Sequence, residues 1–228
     1  MAFIPLRVHS QWSLLAGVPA LDDIVRRALG DNLPAVALTD THALYAALDF
    51  VRKCRAAHIQ PLLGVDFVLQ STSVLTLLAQ NMTGYANLCR LVTRLQGAID
   101  REERLERGLT PEDLSDHTAG VIALADEVAA PAVVDLFGRE RLYLRLDRPM
   151  RDTAAIAQQL NVPLVAAPDI RYLAVEDAAV FRTLTAMRLG QAVQQLPALP
   201  DYAWPTSTDL ARRRSARAVL RGCSAALR

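Results

Sequence analysis

Short apolar runs that close on a polar or charged residue recur along this chain, and most are separated by stretches of helical periodicity. Residues 3–9, 35–39, 62–69, 74–79, 121–125, 141–146 and 164–167 have the length and composition of buried strands. Residues 19–29 read as a helix: Pro19 suits a first turn, Leu21, Ile24, Val25 and Ala28 form an apolar stripe, and Gly30 stops it. A second helix is expected over 43–57, with Leu44, Leu48 and Val51 on one side. A third runs from a Thr83 cap to about residue 98, turning Leu88, Leu91, Val92 and Leu95 inward. A short helix starts in 109–113, and others are expected near 130–136, 152–160 and 176–189. Ser71-Thr72-Ser73 reads as a hairpin or short crossover, and the charge run 101–108 as a solvated loop.

Strand and helix in alternation imply an α/β fold with a parallel sheet, doubly wound or closed into a barrel. A doubly wound sheet gathers its ligands near one switch point. Here His9, Asp40, Asp66 and Asp169 follow separate apolar runs, which favours an irregular TIM-like barrel with these residues at one face. With 228 residues and 52% hydrophobic content, the chain can bury one large core, and no Gly/Ser/Pro-rich linker divides it. Dinucleotide, P-loop, serine-hydrolase, zincin and EF-hand patterns are absent.

Cys54, Cys89 and Cys223 are odd in number and widely spaced, which argues for a reducing compartment and against a disulfide framework or thiolate zinc. No apolar run approaches the roughly 18–20 residues of a membrane span, and the N-terminus lacks a charged-then-apolar leader. A cytoplasmic location is expected. Formal net charge is +1, unevenly placed: six arginines against Asp209 give residues 207–228 a charge of +5, leaving −4 for the rest. An acidic body is a poor nucleic-acid surface. Contact with DNA, if made, is expected through Arg212, Arg213, Arg214, Arg217 and Arg221.

The segments Arg7–Gly17, Leu38–His42 and Leu63–Asp66, taken together, resemble the PHP (polymerase and histidinol phosphatase) domain, in the version at the N-terminus of the bacterial DNA polymerase III alpha subunit. That family opens His-x-His-Ser, an aromatic, then Ser-Leu-Leu-Asp-Gly; here stands Arg7-Val-His9-Ser10-Gln-Trp12-Ser13-Leu14-Leu15-Ala16-Gly17. Its Leu-Thr-Asp-His-Gly is Leu38-Thr39-Asp40-Thr41-His42, and its Ile-Gly-x-Glu is Leu63-Gly64-Val65-Asp66. The stretch from Leu77 to Leu88 resembles the family's "Leu-Leu-Ala, Asn, Gly-Tyr-x-Asn-Leu". Gly120–Leu124, Leu142–Leu144, Val165–Leu173, Glu176-Asp177, Leu184 and Arg188-Leu-Gly190 also fall in family order. The resemblance covers roughly residues 3–195. It implies an irregular (β/α)7 barrel of the PHP type over 1–200, followed by an Arg-rich helix over 201–228 acting as a connector or docking element.

PHP domains are similar to phosphoesterases that hold two or three metals in His, Asp and Glu ligands, the metals stabilising attacking and leaving oxygens. In this chain the first family histidine is Arg7, the Asp of Leu-Leu-Asp-Gly is Ala16, the histidine after Asp40 is Thr41, and the last is Arg171. His9, Asp66 and Asp169 remain; His42 stands one place past a vacated slot, and Asp126 and Glu127 end a strand near another. A guanidinium repels a cation and keeps its proton, so Arg7 and Arg171 are expected to pair with Asp66 and Asp169. No cofactor is then expected, or zinc or manganese if the vestigial site still binds. The leading expectation is a non-catalytic domain that supports a polymerase body, in the same parent chain, or an accessory or exonuclease subunit. The rivals are a metal-dependent phosphoesterase, of exonuclease or histidinol-phosphatase type, and a module that binds phosphate or pyrophosphate without turnover.

Overall fold

The computed structural model describes residues 3–97, 99–146 and 151–205; the Arg-rich segment from 207 onward lies outside them. Among the described residues six strands form one sheet, β1 (Ala35–Leu38), β2 (Gln60–Leu69), β3 (Ser73–Ala79), β4 (Val121–Ala125), β5 (Leu142–Leu146) and β6 (Leu164–Ala166), paired in sequence order. β1 and β2 are parallel, as are β4, β5 and β6. β3 is antiparallel to both neighbours, so the sheet is mixed where an all-parallel one was expected. The turn at Ser71-Thr72-Ser73 is a tight hairpin, too short for the crossover a parallel neighbour requires.

Residues 3–9 were expected to be a full strand, yet they carry one isolated ladder bridge, Val8 to Ile170. Pro5 has no N–H to give to a ladder. The segment nevertheless closes the sheet on itself. The Ala37 and Thr39 amides donate to Pro5 and Val8 carbonyls on one side, while His9 and Ile170 amides donate to Ile170 and Arg7 carbonyls on the other. The closed figure is an irregular barrel with this segment as its seventh stave.

Side-chain alternation divides the core into an inside and an outside. Ile4, Leu6, Ala35, Ala37, Leu62, Leu78, Ile122, Leu124, Tyr143, Val165 and Ala167 fill the interior, every stave contributing. The intervening residues pack outward against helices. Val36, Leu38 and Leu63 meet α1 (Leu21–Gly30) and α2 (Ala47–Ala56). Phe67, Leu77, Ala123 and Leu144 meet α3 (Met82–Gln96), α6 (Ala130–Phe137) and α7 (Arg151–Leu160). Between them lie α4 (Arg101–Arg107) and α5 (Pro111–Leu114), and α8 (Ala178–Leu189) follows the last strand.

Three helices depart from expectation for identifiable reasons. α2 starts four residues late and buries Ala47, Phe50 and Cys54, leaving Leu48 74% exposed; Phe50 is the larger side chain and fixes the helix's rotation. α3 is capped by Asn81, whose side chain accepts from the Gly84 amide, rather than by Thr83. The charge run at 101–107 is helical: Glu and Arg are good helix formers, and Asp100 pairs with Arg104 at one-turn spacing, 2.8 Å.

Because Leu6 is fully buried within the barrel, Leu6→Ala should cost about 2–5 kcal/mol in chemical denaturation. A loss no larger than that of a surface substitution would mean that residues 5–9 do not close the core.

Candidate functional site

The segment that closes the barrel also loads its mouth. Arg7 and His9 leave it on either side of Val8, and both are buried, Arg7 at 3% exposure. Asp66 lies opposite, 1% exposed. It sits inside β2 rather than at a strand end, because β2 runs on past the barrel rim into the hairpin with β3. Thr76, its register partner on β3, donates its hydroxyl to Asp66 Oδ1 at 2.5 Å. Asp169 follows β6, one residue before Ile170 bridges to Val8.

Guanidinium groups hold both carboxylates. Arg7 Nε donates to Asp66 Oδ2 at 2.6 Å, and its Nη2 stands 3.4 Å from Asp169 Oδ2. Arg171 Nε donates to that same Asp169 oxygen at 2.9 Å, while its Nη1 reaches the Ala16 carbonyl at 2.9 Å. Burial alone would raise the Asp66 carboxyl; Arg7 first, then His9, outweigh it and hold the group well below the usual carboxylate range. Asp169 is likewise held low against its burial by Arg7, Arg171 and His9.

His9 connects this cluster to a second one. Ser13 Oγ donates to Asp40 Oδ1 at 2.7 Å, and it therefore accepts from His9 Nδ1, 3.2 Å away, and from the Thr41 amide at 3.0 Å. Asp40 also takes the Ser10 amide at 2.7 Å and the Ser10 hydroxyl at 2.9 Å, which pins the 10–17 loop from below. Gly17 completes that loop because a Cβ there would overlap the Ser10 carbonyl. On the other ring nitrogen, Nε2 lies 3.1 Å from Asp66 Oδ2 and 3.1 Å from Asp169 Oδ1. Neither approach has hydrogen-bond geometry, and Nε2 and Asp169 Oδ1 are both buried without a hydrogen-bond partner.

A buried imidazole nitrogen facing two carboxylate oxygens is a donor set suited to a cation. The residues around it do not fit one. Arg7 Nε already sits on the Asp66 oxygen that Nε2 faces, so a metal there would lie against a permanent positive charge. Among the described residues no group of three or more His, Cys, Asp or Glu side chains could hold a metal ion.

The PHP domain profile matches residues 5–164. The chain belongs to the PHP domain family. It is 30% identical to the DNA polymerase III subunit alpha of Bacillus subtilis over 235 residues, covering 88% of this chain and 20% of that protein. It is 31% identical to the error-prone DNA polymerase of Symbiobacterium thermophilum over 236 residues, covering 86% of this chain and 22% of that one. The chain thus spans about a fifth of the length of the curated relatives it matches. The fold is shared with an amidohydrolase from Chromobacterium violaceum, at TM-score 0.53 and 14% identity, covering 75% of this chain and 88% of the other.

The remaining candidates of this PHP domain are placed elsewhere. His42 has its ring 5.9 Å from Phe67, on the outward side of β2, and its Nδ1 has no hydrogen-bond partner. Thr41 Oγ1 lies 3.4 Å from His9 Nδ1, and Ala16 contributes only its carbonyl. Asp126 closes the turn that leads into α6, accepting from the Val128 and Ala129 amides at 3.1 and 2.8 Å. Its other oxygen faces Arg145 Nη2 at 3.6 Å. Glu127 makes no contact with the cluster among the described residues. Arg145, buried at the mouth, was missed, although its two-residue spacing from the inward Tyr143 marks it as a charge on the interior face. Ser10, Ser13 and Thr76 were also missed; two of them stand in the opening motif itself.

Two outcomes follow. Arg7→Met should destabilise the protein by about 3–5 kcal/mol, because Asp66 would be left charged and uncompensated, and adding Asp66→Leu should restore most of that loss. Denaturant unfolding of the two variants checks it, and equal stability of the single and double variants would contradict it. His42 is pushed down from 6.5 to about 4 by burial, against the pull of Asp66. The unfolded chain therefore binds the extra proton first as pH falls, so stability is whole above about pH 6.5 and declines by up to about 3 kcal/mol toward pH 4. His42→Asn, which tolerates the left-handed backbone (φ 55°) found there, should flatten that slope in melting curves taken across the window. An unchanged slope would assign it to other groups.

Proposed function

We propose that this PHP domain is non-catalytic and serves as a structural and docking element of a DNA polymerase III alpha-like protein, in DNA replication and in the cytoplasm. One observation carries the reading: Arg7 Nε is 2.6 Å from Asp66 Oδ2, with both side chains buried. Phosphoester hydrolysis by clustered metals needs cations where charge develops on attacking and leaving oxygens. Here fixed guanidinium groups take that charge role. They neutralise the carboxylates but offer no open coordination position and cannot generate a bound hydroxide. What remains useful is a closed, charge-balanced barrel. Its partner in this reading is a polymerase body, by analogy with relatives in which the matched region is about a fifth of the chain, or an accessory or exonuclease subunit. The expected connector, residues 201–228, runs beyond the described residues after Pro205, as does any DNA contact through its arginines.

A second reading, a metal-dependent phosphoesterase, is favoured by His9 Nε2 and Asp169 Oδ1, which are buried without hydrogen-bond partners. Metal content decides between them. Protein purified without chelators, supplied with zinc and manganese and then desalted, should retain less than one equivalent by elemental mass spectrometry. Two or more tightly held equivalents would overturn the structural reading in favour of the enzyme.

A further inference from the structure

α8 is apolar on two faces. Phe181, Thr185 and Ala186 are buried on the inner one. Val180, Thr183, Leu184 and Met187, at i, i+3, i+4 and i+7, form a second stripe, along which Val180 and Met187 are 48% and 63% exposed. Only Arg182 and Arg188 are charged in this helix. Arg182 projects from the side opposite the outer stripe and spends its guanidinium on the Val193, Leu196 and Pro197 carbonyls. A helix apolar all round belongs in an interior, so the outer stripe of α8 is a surface made to be covered.

The described chain ends beside this helix. The Tyr202 ring packs edge-on to Phe181 with centroids 5.3 Å apart, and Pro205, three residues on, is the last described residue, so it lies at most about 10 Å from Tyr202. Residues 206–228 continue from there. In that segment Ala216, Val219, Leu220, Cys223 and Leu227 recur at i, i+3, i+4, i+7 and i+11, while Arg217, Arg221 and Arg228 fall together to one side of them. As a helix this apolar stripe is about 16 Å long, enough to cover the roughly 10 Å of the outer stripe of α8. Gly222 inside the run weakens such a helix in isolation, so it needs a packing partner to form. We propose that residues 216–227 fold back as a helix in the same chain and lay this stripe on Val180, Leu184 and Met187, with the arginines turned away from the contact. The occupant is tethered, so its local concentration is fixed by the chain and needs no second molecule. The contact involves neither the carboxylate cluster nor a polymerase body, and it stands or falls apart from the reading of the domain as non-catalytic.

The test uses the full 228-residue chain and its native Cys223. Met187→Cys is compared with Val128→Cys, an equally exposed position after β4. In a glutathione redox buffer a disulfide closes where two Cα atoms come within about 7 Å. The thiol introduced at 187 is expected to link to Cys223 of the same molecule at least about tenfold faster than the one introduced at 128. Mass spectrometry of the linked peptides reads the rate and separates links made by Cys54 or Cys89. Adding Leu220→Asp, which puts a charge into the stripe and lies outside the barrel, should slow the Met187→Cys link to the Val128→Cys rate. Equal rates at the two positions, or a link at 187 that Leu220→Asp leaves unchanged, would overturn the proposal. A disulfide joining two chains would also overturn it and assign the outer face of α8 to a second copy.

Discussion

A buried carboxylate must be answered by positive charge, and the mouth of this barrel is arranged around that requirement. Asp66 is walled in by β2, β3 and the closing segment, where a lone ionised carboxyl would be too costly to keep. Arg7 answers it directly, and Arg171 does the same for Asp169. The backbone consequences extend outward. Arg171 Nη1 holds the Ala16 carbonyl, Asp40 holds Ser10 and Ser13, and Ser13 orients His9 between the two carboxylates. The loop over the mouth is thus tied from beneath by charge and hydrogen bonds, while its apolar side chains Trp12 and Leu14 face outward.

Much of the fold was legible because each strand is a compact apolar run and each helix has a stripe. The fold class, the order of elements and the stripes of α1 and α3 follow from periodicity. The antiparallel β3 was less visible, since Val74–Ala79 is as apolar as its parallel neighbours and only the three-residue turn before it distinguishes the two topologies. The closing segment was misread in degree: its composition is that of a strand, but Pro5 breaks the ladder while its carbonyls still serve β1. Leu48 shows another limit. Leucine at helical spacing reads as core, yet a neighbouring phenylalanine decided which face turned inward.

The site was readable residue by residue only where a motif supplied positions. Nothing in the spacing of Arg7, Asp66 and the Asp169–Arg171 pair shows that three segments so far apart in sequence converge; barrel closure brings them together. Arg145 lies in no motif and became visible only through its surroundings inside the barrel. His42 illustrates the reverse case. A histidine one place beyond a vacated position invites substitution for the lost one, but its left-handed backbone directs the ring toward Phe67 instead.

The mid-strand position of Asp66 has an evolutionary corollary. A carboxylate on a loop that loses its cation can rotate into solvent, and any small neutral neighbour will then be tolerated. Asp66 has no such exit, because its backbone is laced to Thr76 on one side and bridged to Thr41 on the other. In a barrel built this way, the positive charge beside Asp66 can be given up only together with the carboxylate it answers. Positions 7 and 66, fifty-nine residues apart in sequence, are therefore free to change charge as a pair and not singly.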